Sequence, residues 1–202
     1  MKKTLKIVFN VCSILIIFFC VVFFLYNLVF SKKNKNELLS VADEIVNENI
    51  ITNNIENNSI NENETFSARN LEKDKNIVGK IIIDKINVNA PIMDGVGEDI
   101  LKKAVGHFSG TSYWNGNVCL ASHNRGSYAH YFEKINKLSV GDEIKYKTKL
   151  GTRVYVVNEI NNIHENNLSV LNNTEKNTIT LITCVKSNAE ERLCVKGIEK
   201  IL

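Results

Sequence analysis

Three residues in the C-terminal half of the chain have side chains suited to acyl transfer. Cys184 ends the strand-like run 178–184, and Arg192 follows eight positions later. A cysteine attacks an amide carbonyl as the thiolate, which a nearby positive charge stabilises. Arginine is always charged and offers several donors to an oxyanion. This pair predicts a nucleophile beside an oxyanion stabiliser.

His123 adds the acid–base group that such a site requires. It follows an apolar strand-like segment and precedes the polar turn 124–127. A histidine that a strand holds at the edge of a loop can protonate a leaving amine and then deprotonate the incoming one. The other three histidines are in loops or at segment starts and are expected to be structural or solvent-facing: His107, His130 and His164.

Ordinary structural uses of the same residues remain open at this point. Cys184 could be a buried core cysteine, which is the commoner use of that residue. Arg192 could form a surface ion pair with Glu190 or Glu191. Strand alternation places Arg192 and Cys194 on one face of their segment. The residue types alone therefore do not separate catalysis from structure.

Cysteine usage argues against a disulfide scaffold and against zinc. Two of the five cysteines lie in the apolar N-terminal segment, so an odd number remains for the rest of the chain. A bond between Cys119 and Cys194 is open, because the sequence does not give their distance. Cys119 and His123 would lie about 13 Å apart along a strand. No Cys-x-x-Cys or His-x-x-x-His pair supports a zinc site.

The N-terminal segment 7–30 has no charged residue and is mostly Ile, Val, Leu or Phe. About 20 such residues cross a bilayer as a helix. The apolar core of a cleaved signal is usually about 7–15 residues long, and no small-residue cleavage pattern follows Phe30. An uncleaved, single-pass signal anchor is predicted. Equal numbers of lysines flank the segment, so the distribution of positive charge does not decide its orientation. The short N-terminal head and the large C-terminal part favour export of the C-terminal part.

The rest of the chain divides by composition. Residues 1–6 form a short head, 31–76 an Asn-, Glu- and Lys-rich flexible linker, and 77–202 a folded domain. Five apolar residues near the start of the linker have the spacing of a short amphipathic helix: Leu38, Leu39, Val41, Ile45 and Val46. The net charge of +3, from 25 basic and 22 acidic residues, argues against nucleic-acid binding.

Short strand-like segments separated by turns fill the folded domain. They predict a mostly β fold, a closed barrel of about eight strands with short helices. The predicted strands are 77–83, 86–93, 117–123, 143–148, 153–160, 178–184 and 192–201, and the predicted short helices are 98–105 and 131–138.

Four segments of this domain resemble the sortases, the membrane-anchored transpeptidases of Gram-positive bacteria. Residues 180–184 read Thr-Leu-Ile-Thr-Cys for the family's Thr-Leu-x-Thr-Cys, and residues 192–195 read Arg-Leu-Cys-Val for its Arg-Leu-x-Val. Residues 116–123 match its Gly-Asn-x-x-x-x-Gly-His, except that Ser122 replaces the second glycine. Residues 140–144 are similar to the segment that follows the histidine. The resemblance implies the family's eight-stranded barrel.

By position, the resemblance implies that Cys184 is the nucleophile, His123 the general acid/base and Arg192 the oxyanion and substrate stabiliser. The implied reaction cleaves a Leu-Pro-x-Thr-Gly sorting motif through a thioacyl-enzyme and passes the acyl group to an amine on lipid II, a peptidoglycan peptide or a pilin lysine. The implied location of the domain is outside the cell. The replacement of glycine by Ser122 is expected to be tolerated, because serine is small.

The form of the motifs is closer to class D or class A sortases than to class B. The resemblance implies no cofactor, although some class A members bind calcium through acidic residues. Two other functions remain open on the sequence. One is a membrane-tethered cysteine peptidase, in which water accepts the acyl group. The other is a non-catalytic extracytoplasmic binding module with a structural Cys184.

Overall fold

The computed structural model describes residues 2–52, 76–126 and 129–201 of the chain. The chain divides into two units, residues 1–37 and residues 38–202. A helix, α1, runs over Lys2–Thr52 and contributes to both. The second unit also contains a β-barrel.

The part of α1 in the first unit presents apolar side chains to its surroundings. Every large apolar residue recorded between Ile14 and Phe30 is exposed, with fractions from 47% to 77%. Such a continuous apolar surface is not stable in water. At about 1.5 Å per residue, the predicted segment 7–30 extends about 36 Å, enough for a hydrocarbon core of about 30 Å. Within the described residues, α1 is the one helix long and apolar enough to cross a membrane.

Eight strands close into the barrel that the sequence predicts. Their order around the barrel is β1-β2-β3-β4-β7-β8-β6-β5. The β2–β3 and β4–β7 pairs are parallel, and the other recorded neighbours are antiparallel. The strands are β1 Ile77–Ile83, β2 Val88–Asp94, β3 Val105–His107, β4 Asn117–Ala121, β5 Glu143–Thr148, β6 Gly151–His164, β7 Thr178–Cys184 and β8 Glu191–Glu199.

Alternation along the strands separates the barrel interior from its outer face. In β7, Ile179 and Leu181 are fully buried and join the main core with Val195 of β8. Ile182 belongs to a separate cluster on the other face of the same strand. Because consecutive side chains of a strand point to opposite faces, β7 is covered on both sides. Because the barrel is closed, every strand has a hydrogen-bonded neighbour on each side over at least part of its length.

The structure corrects the prediction for residues 98–105. The helix there, α2, covers only Glu98–Leu101, and the residues after a short turn form β3. Gly106 makes this strand feasible, since a Cβ at that position would meet the Gly95 carbonyl and the Leu101 side chain. A three-residue strand is too short to produce a recognisable alternation. Near the predicted helix 131–138, a 3-10 helix covers Ile135–Lys137.

The structure also differs from the predicted flexible linker. Residues 31–52 continue α1, and residues 53–75 lie outside the described residues. Within the second unit, Ala42 is fully buried, and Leu38 packs against the cluster of Met93, Ile100 and Ala104. The sequence underestimates this segment because its apolar residues are few and acquire their burial only from the barrel surface.

Lys80 of β1 forms an ion pair with Asp43 of this helix. Its side chain is 11% exposed, so the pair holds a charge that would otherwise be buried alone. The last described turns of α1 are therefore part of the folded second unit.

Candidate active site

His123, Cys184 and Arg192 come together at one rim of the barrel. β4 and β7 are parallel neighbours, so both end at this rim. Cys184 is the last residue of β7, and His123 lies two residues beyond the end of β4. The antiparallel strand β8 begins at the same rim and carries Arg192 as its second residue.

Strand register places Cys184 and Arg192 on one face, with His123 close to them in the backbone. Cys184 lies directly opposite Arg192 in the β7–β8 ladder. Paired Cα atoms in such a ladder are about 4.5–5.5 Å apart, and their side chains share a face. Ala121 of β4 pairs with Ile182 of β7. Two residues beyond this pair, His123 follows the end of β4 and Cys184 ends β7, so the backbone brings the two residues to the same rim.

The thiol of Cys184 is exposed, and the backbone that carries it is fixed. The buried Thr183 donates from Oγ1 to the Ser122 carbonyl at 2.7 Å. The side-chain amide of Asn124 donates to the Cys184 carbonyl. Both bonds join the end of β7 to the segment around His123, so they set the spacing of the two candidate groups. Cys184 is therefore not the buried core cysteine of the structural alternative.

His123 is half-buried, and its backbone carbonyl accepts a bond from the Phe132 amide at 3.2 Å. A carboxylate at the start of α2 acts on this histidine. An ion pair with Lys102 at 2.7 Å lowers the pKa of Glu98, and the charge of His123 lowers it further. Glu98 is therefore a carboxylate anion in the neighbourhood of His123.

Arg192 is held by three hydrogen bonds from its terminal nitrogens. Nη1 donates to the carbonyls of Ala189 at 2.7 Å and Glu191 at 2.9 Å. Nη2 donates to Glu165 Oε2 at 2.6 Å. The sequence alternative paired Arg192 with a carboxylate of its own hairpin, whereas the structure pairs it with Glu165, 27 positions away. These contacts orient the guanidinium, whose side chain remains 25% exposed.

The β6–β7 loop, residues 165–177, covers the outer face of the barrel next to Cys184. Its 3-10 helix, Leu168–Leu171, inserts Val170 into a cluster with Ile182 and Cys194. Ile182 is two residues before Cys184 on the same face of β7. The loop therefore forms a wall beside the rim that carries the three candidate residues.

Cys119 and Cys194 are buried free thiols. β4 and β8 flank β7 on opposite sides, so the two cysteines lie on strands about 9.5 Å apart. A disulfide requires Cα atoms within about 7 Å, which settles the open question against this bond. Burial raises the pKa of Cys119 to about 12 and that of Cys194 to about 11. Cys184 is thus the exposed cysteine of the second unit.

The remaining histidines do not contribute to this rim face. His107 is fully buried, with Nδ1 3.0 Å from Asp94 Oδ1 and Nε2 3.1 Å from the Ser112 carbonyl oxygen. His130 and His164 are exposed beside carboxylates. Among the described residues, no group of three His, Cys, Asp or Glu side chains is arranged to hold a metal ion.

Ser122, the departure from the family's glycine, is buried immediately before His123. Its side chain is on the opposite face of the strand from that of His123. Within the described residues, Ser122 Oγ has no hydrogen-bond partner, although the residue is only 4% exposed. Serine therefore fits at this position, but its hydroxyl loses its hydration without gaining a hydrogen bond within the described residues.

Sequence reasoning assigned no role to four polar residues: Glu98, Asn117, Asn124 and Glu165. The local signal for each is a polar residue beside the end of a helix or strand. Glu98 pairs with the nearby Lys102, but the partners of the other three are far away in sequence, such as Cys184, 60 positions from Asn124. The pairing of distant strands creates these contacts, so no spacing rule reveals them.

Comparison with known proteins shows the family to which the domain carrying this rim belongs. Residues 81–199, more than half of the chain, match the family model described as Sortase domain, and the chain belongs to the sortase family. Sortase A of Listeria monocytogenes is 33% identical over 120 residues, covering 59% of this chain and 54% of that protein. Sortase A of Streptococcus agalactiae is 27% identical over 144 residues, covering 68% of this chain.

The chain spans 58% of the length of the Streptococcus agalactiae relative and 54% of the Listeria monocytogenes relative. A solved structure, a Clostridium perfringens sortase D5 transpeptidase, matches more of its own length. It is 30% identical, covers 85% of this chain and 98% of that chain, and has a TM-score of 0.61. The likeness in fold therefore covers almost the whole of that solved chain.

Proposed function

We propose that this chain is a cysteine transpeptidase that attaches surface proteins to the cell wall. Its substrate would be a protein carrying a C-terminal sorting motif of the Leu-Pro-x-Thr-Gly type, and its acceptor an amine such as that of lipid II or a peptidoglycan peptide. The observation that supports the proposal is that Cys184 lies opposite Arg192 in the β7–β8 ladder, with His123 just beyond the end of the neighbouring strand β4. Membership of the sortase family supports the same reaction.

In the first step, the thiolate of Cys184 attacks the threonine carbonyl of the motif. A carbon–sulfur bond forms, and the Arg192 guanidinium stabilises the negative charge that develops on the carbonyl oxygen. The bond between threonine and glycine then breaks, and the imidazolium of His123 gives its proton to the leaving glycine amine. The product of this step is a thioacyl-enzyme.

In the second step, an acceptor amine attacks the thioacyl carbon. His123, now neutral, takes a proton from that amine. The carbon–sulfur bond breaks, and the Cys184 thiolate is regenerated. The contacts of Arg192 with Glu165 and two carbonyls keep its donors oriented throughout.

We place the enzyme in the cell membrane as a single-pass protein. Residues 7–30 would span the bilayer, residues 1–6 would remain in the cytoplasm, and the catalytic domain, residues 77–202, would be extracytoplasmic. The exposed apolar side chains between Ile14 and Phe30 support this arrangement. The substrates and acceptors of such an enzyme are also located at the outer surface of the membrane.

A ligation assay with the full chain in detergent micelles tests this function. The protein is incubated with Leu-Pro-x-Thr-Gly peptides, with and without an added amine, and the products are identified by mass spectrometry. The expected result is an amide between the threonine of the peptide and the added amine. Cys184→Ala should abolish both cleavage and ligation, while Cys194→Ala, a change in a buried thiol, should retain them.

The same assay separates the rival functions. Cleavage by the unmodified chain without any ligated product would favour a peptidase that uses water as the acceptor. Ligation that persists in Cys184→Ala would show that another residue carries the reaction. No cleavage of any peptide in the panel would favour the binding module.

A further inference from the structure

Asn117, the asparagine next to Gly116 at the start of β4, is fully engaged by hydrogen bonds. It is 3% exposed. Its Nδ2 donates to the carbonyls of Val170 and Asn172, each at 2.9 Å. Its Oδ1 accepts from Thr178 Oγ1 at 3.1 Å and Thr180 Oγ1 at 2.8 Å. One amide group therefore bonds the β6–β7 loop on one side and β7 on the other.

The other end of the loop docks on the same pair of residues. Asn173 Oδ1 accepts from the backbone amide of Asn117 at 3.2 Å, and Asn177 Oδ1 accepts from the amide of Gly116 at 2.9 Å. A Cβ at position 116 would overlap Asn173 Oδ1, and the residue has a φ of +99°. Glycine at 116 is therefore needed for the loop to approach β4 so closely.

We propose that Asn117 is the positioning residue that anchors the β6–β7 loop beside Cys184, and so sets how tightly the sorting peptide binds. The inference rests on the proposed function for its substrate. The loop packs Val170 against Ile182, two residues before Cys184. Release of the loop would therefore change the surface next to the residue that carries the acyl group.

The two sides of the Asn117 amide can be tested separately. Asn117→Asp keeps the size of the side chain and the oxygen that faces β7, but a carboxyl group can donate at most one of the two bonds to the loop. Thr180→Val has nearly the same shape as threonine and removes one bond on the β7 side while leaving both loop bonds in place. A third variant, Asn173→Ala, replaces an exposed residue of the loop itself. Because it changes no buried side chain, this variant is expected to fold.

Hydrogen exchange of the full chain in micelles, followed by mass spectrometry, reports the anchor directly. We expect residues 165–177 to exchange at least about tenfold faster in Asn117→Asp, because at least one of the two hydrogen bonds from Asn117 to the loop is lost. Asn173→Ala should change the same segment in the same direction, and Thr180→Val should leave it at the rate of the unmodified chain. Unchanged loop exchange in both Asn117→Asp and Asn173→Ala would overturn the inference. Equal acceleration in Thr180→Val and Asn117→Asp would also overturn it, since Asn117 would then serve only general stability.

Steady-state kinetics with the sorting peptide provide a second readout. If Asn117 anchors the loop, Asn117→Asp should raise KM at least about fivefold, because contacts that bind substrate and transition state equally are lost. The value of kcat should change less than about threefold, because His123, Cys184 and Arg192 are retained. An equal fall of kcat with unchanged KM would contradict the inference. If the unmodified chain turned over no peptide, the proposed function would fail, whereas the exchange comparison would still decide whether Asn117 holds the loop.

Discussion

Cys184 and Arg192 occupy directly opposite positions in the antiparallel ladder of β7 and β8. Their spacing is therefore a property of the barrel and does not depend on the conformation of a surface loop. The Arg192 guanidinium is further held by the Ala189 and Glu191 carbonyls and by Glu165. In the proposed reaction, this arrangement would orient the positive charge before substrate binds and so lower the reorganisation that the reaction requires.

The planar geometry of Arg192 is predicted to matter as well as its charge. Lysine retains the charge but cannot donate simultaneously to Glu165 and to two carbonyls from a planar fork. Arg192→Lys should lower kcat/KM for the sorting peptide by about 10²-fold, the size of a lost oxyanion donor. Stability should change by less than about 1 kcal/mol, because the ion pair with Glu165 is partly exposed.

A control for this substitution is available in the same hairpin. Glu190→Gln removes an exposed carboxylate near His164 without touching Arg192. It should leave kcat/KM within about twofold of the unmodified chain. Full activity of Arg192→Lys in the peptide assay would show that a point charge is sufficient and that the observed fork of contacts is incidental.

Ser122→Ala is predicted to stabilise the protein. Ser122 Oγ is buried and has no partner within the described residues, and an unpaired buried hydroxyl costs about 1–3 kcal/mol. Removal of that oxygen should raise the free energy of unfolding by about 1 kcal/mol. Ser122→Gly should gain less, because glycine adds backbone entropy to the unfolded chain worth about 0.5–1 kcal/mol. Urea unfolding measures both, and a destabilised Ser122→Ala would show that the hydroxyl is satisfied in solution.

Truncation tests whether the end of α1 belongs to the folded domain. A chain beginning at residue 38 keeps Leu38, Ala42 and Val46, which pack within the second unit, and the pair between Asp43 and Lys80. A chain beginning at residue 76 loses all of them. The shorter chain should be less stable by about 2–4 kcal/mol, from lost apolar burial and an unpaired Lys80. Equal midpoints in urea unfolding would show that the helix does not stabilise the barrel.

The ion pair between the buried His107 and the partly exposed Asp94 predicts a pH dependence of stability. Burial raises the pKa of Asp94, but hydrogen bonds from His107, Tyr113 and Ser109 outweigh it and hold the value below its ordinary range. A lowered pKa in the folded state stabilises the protein above the ordinary value of about 3.9, and this contribution is lost as the pH falls through the folded value. The stabilisation by ionised Asp94 should therefore begin to fall below about pH 4 and be absent once the pH is below the pKa of Asp94 in the folded protein.

Unfolding of the unmodified chain and of Asp94→Asn at a series of pH values measures this contribution. The difference in stability between the two should be constant from about pH 5 to pH 6 and should shrink towards pH 3. Asp84→Asn, which removes an exposed pair with Lys145, is the control and should show a smaller difference throughout. A difference for Asp94→Asn that does not vary with pH would contradict the assignment.

The barrel could be predicted from sequence because its strands carry strong local patterns. The bounds of β1, β5 and β7 agree with the predicted strands, and each is rich in β-branched or alternating residues. β3 could not be found, since its three residues show no period. Within residues 31–52, the sequence predicted only a short amphipathic helix between Leu38 and Val46. The continuous helix was missed because most of its surface is polar and only a few apolar residues pack against the barrel.

The three candidate residues of the rim could be predicted from their residue types and from the family motifs. The contacts that support them could not be predicted from the sequence. Cys184 and Arg192 are close in sequence, and a hairpin pairing follows from their spacing. Asn117 and Asn124 act through residues more than 50 positions away. Such contacts depend on which strands become neighbours in the closed barrel, and that order is not encoded in any local segment.

The most direct test of the account is to capture the acyl group on Cys184. The full chain in micelles is mixed with a Leu-Pro-x-Thr-Gly peptide without an amine, quenched in acid and examined by intact mass and peptide mapping. The account predicts an adduct with the mass of the peptide up to its threonine, attached at Cys184 and absent from Cys184→Ala. An adduct on Cys119 or Cys194, or peptide cleavage that continues in Cys184→Ala, would contradict it.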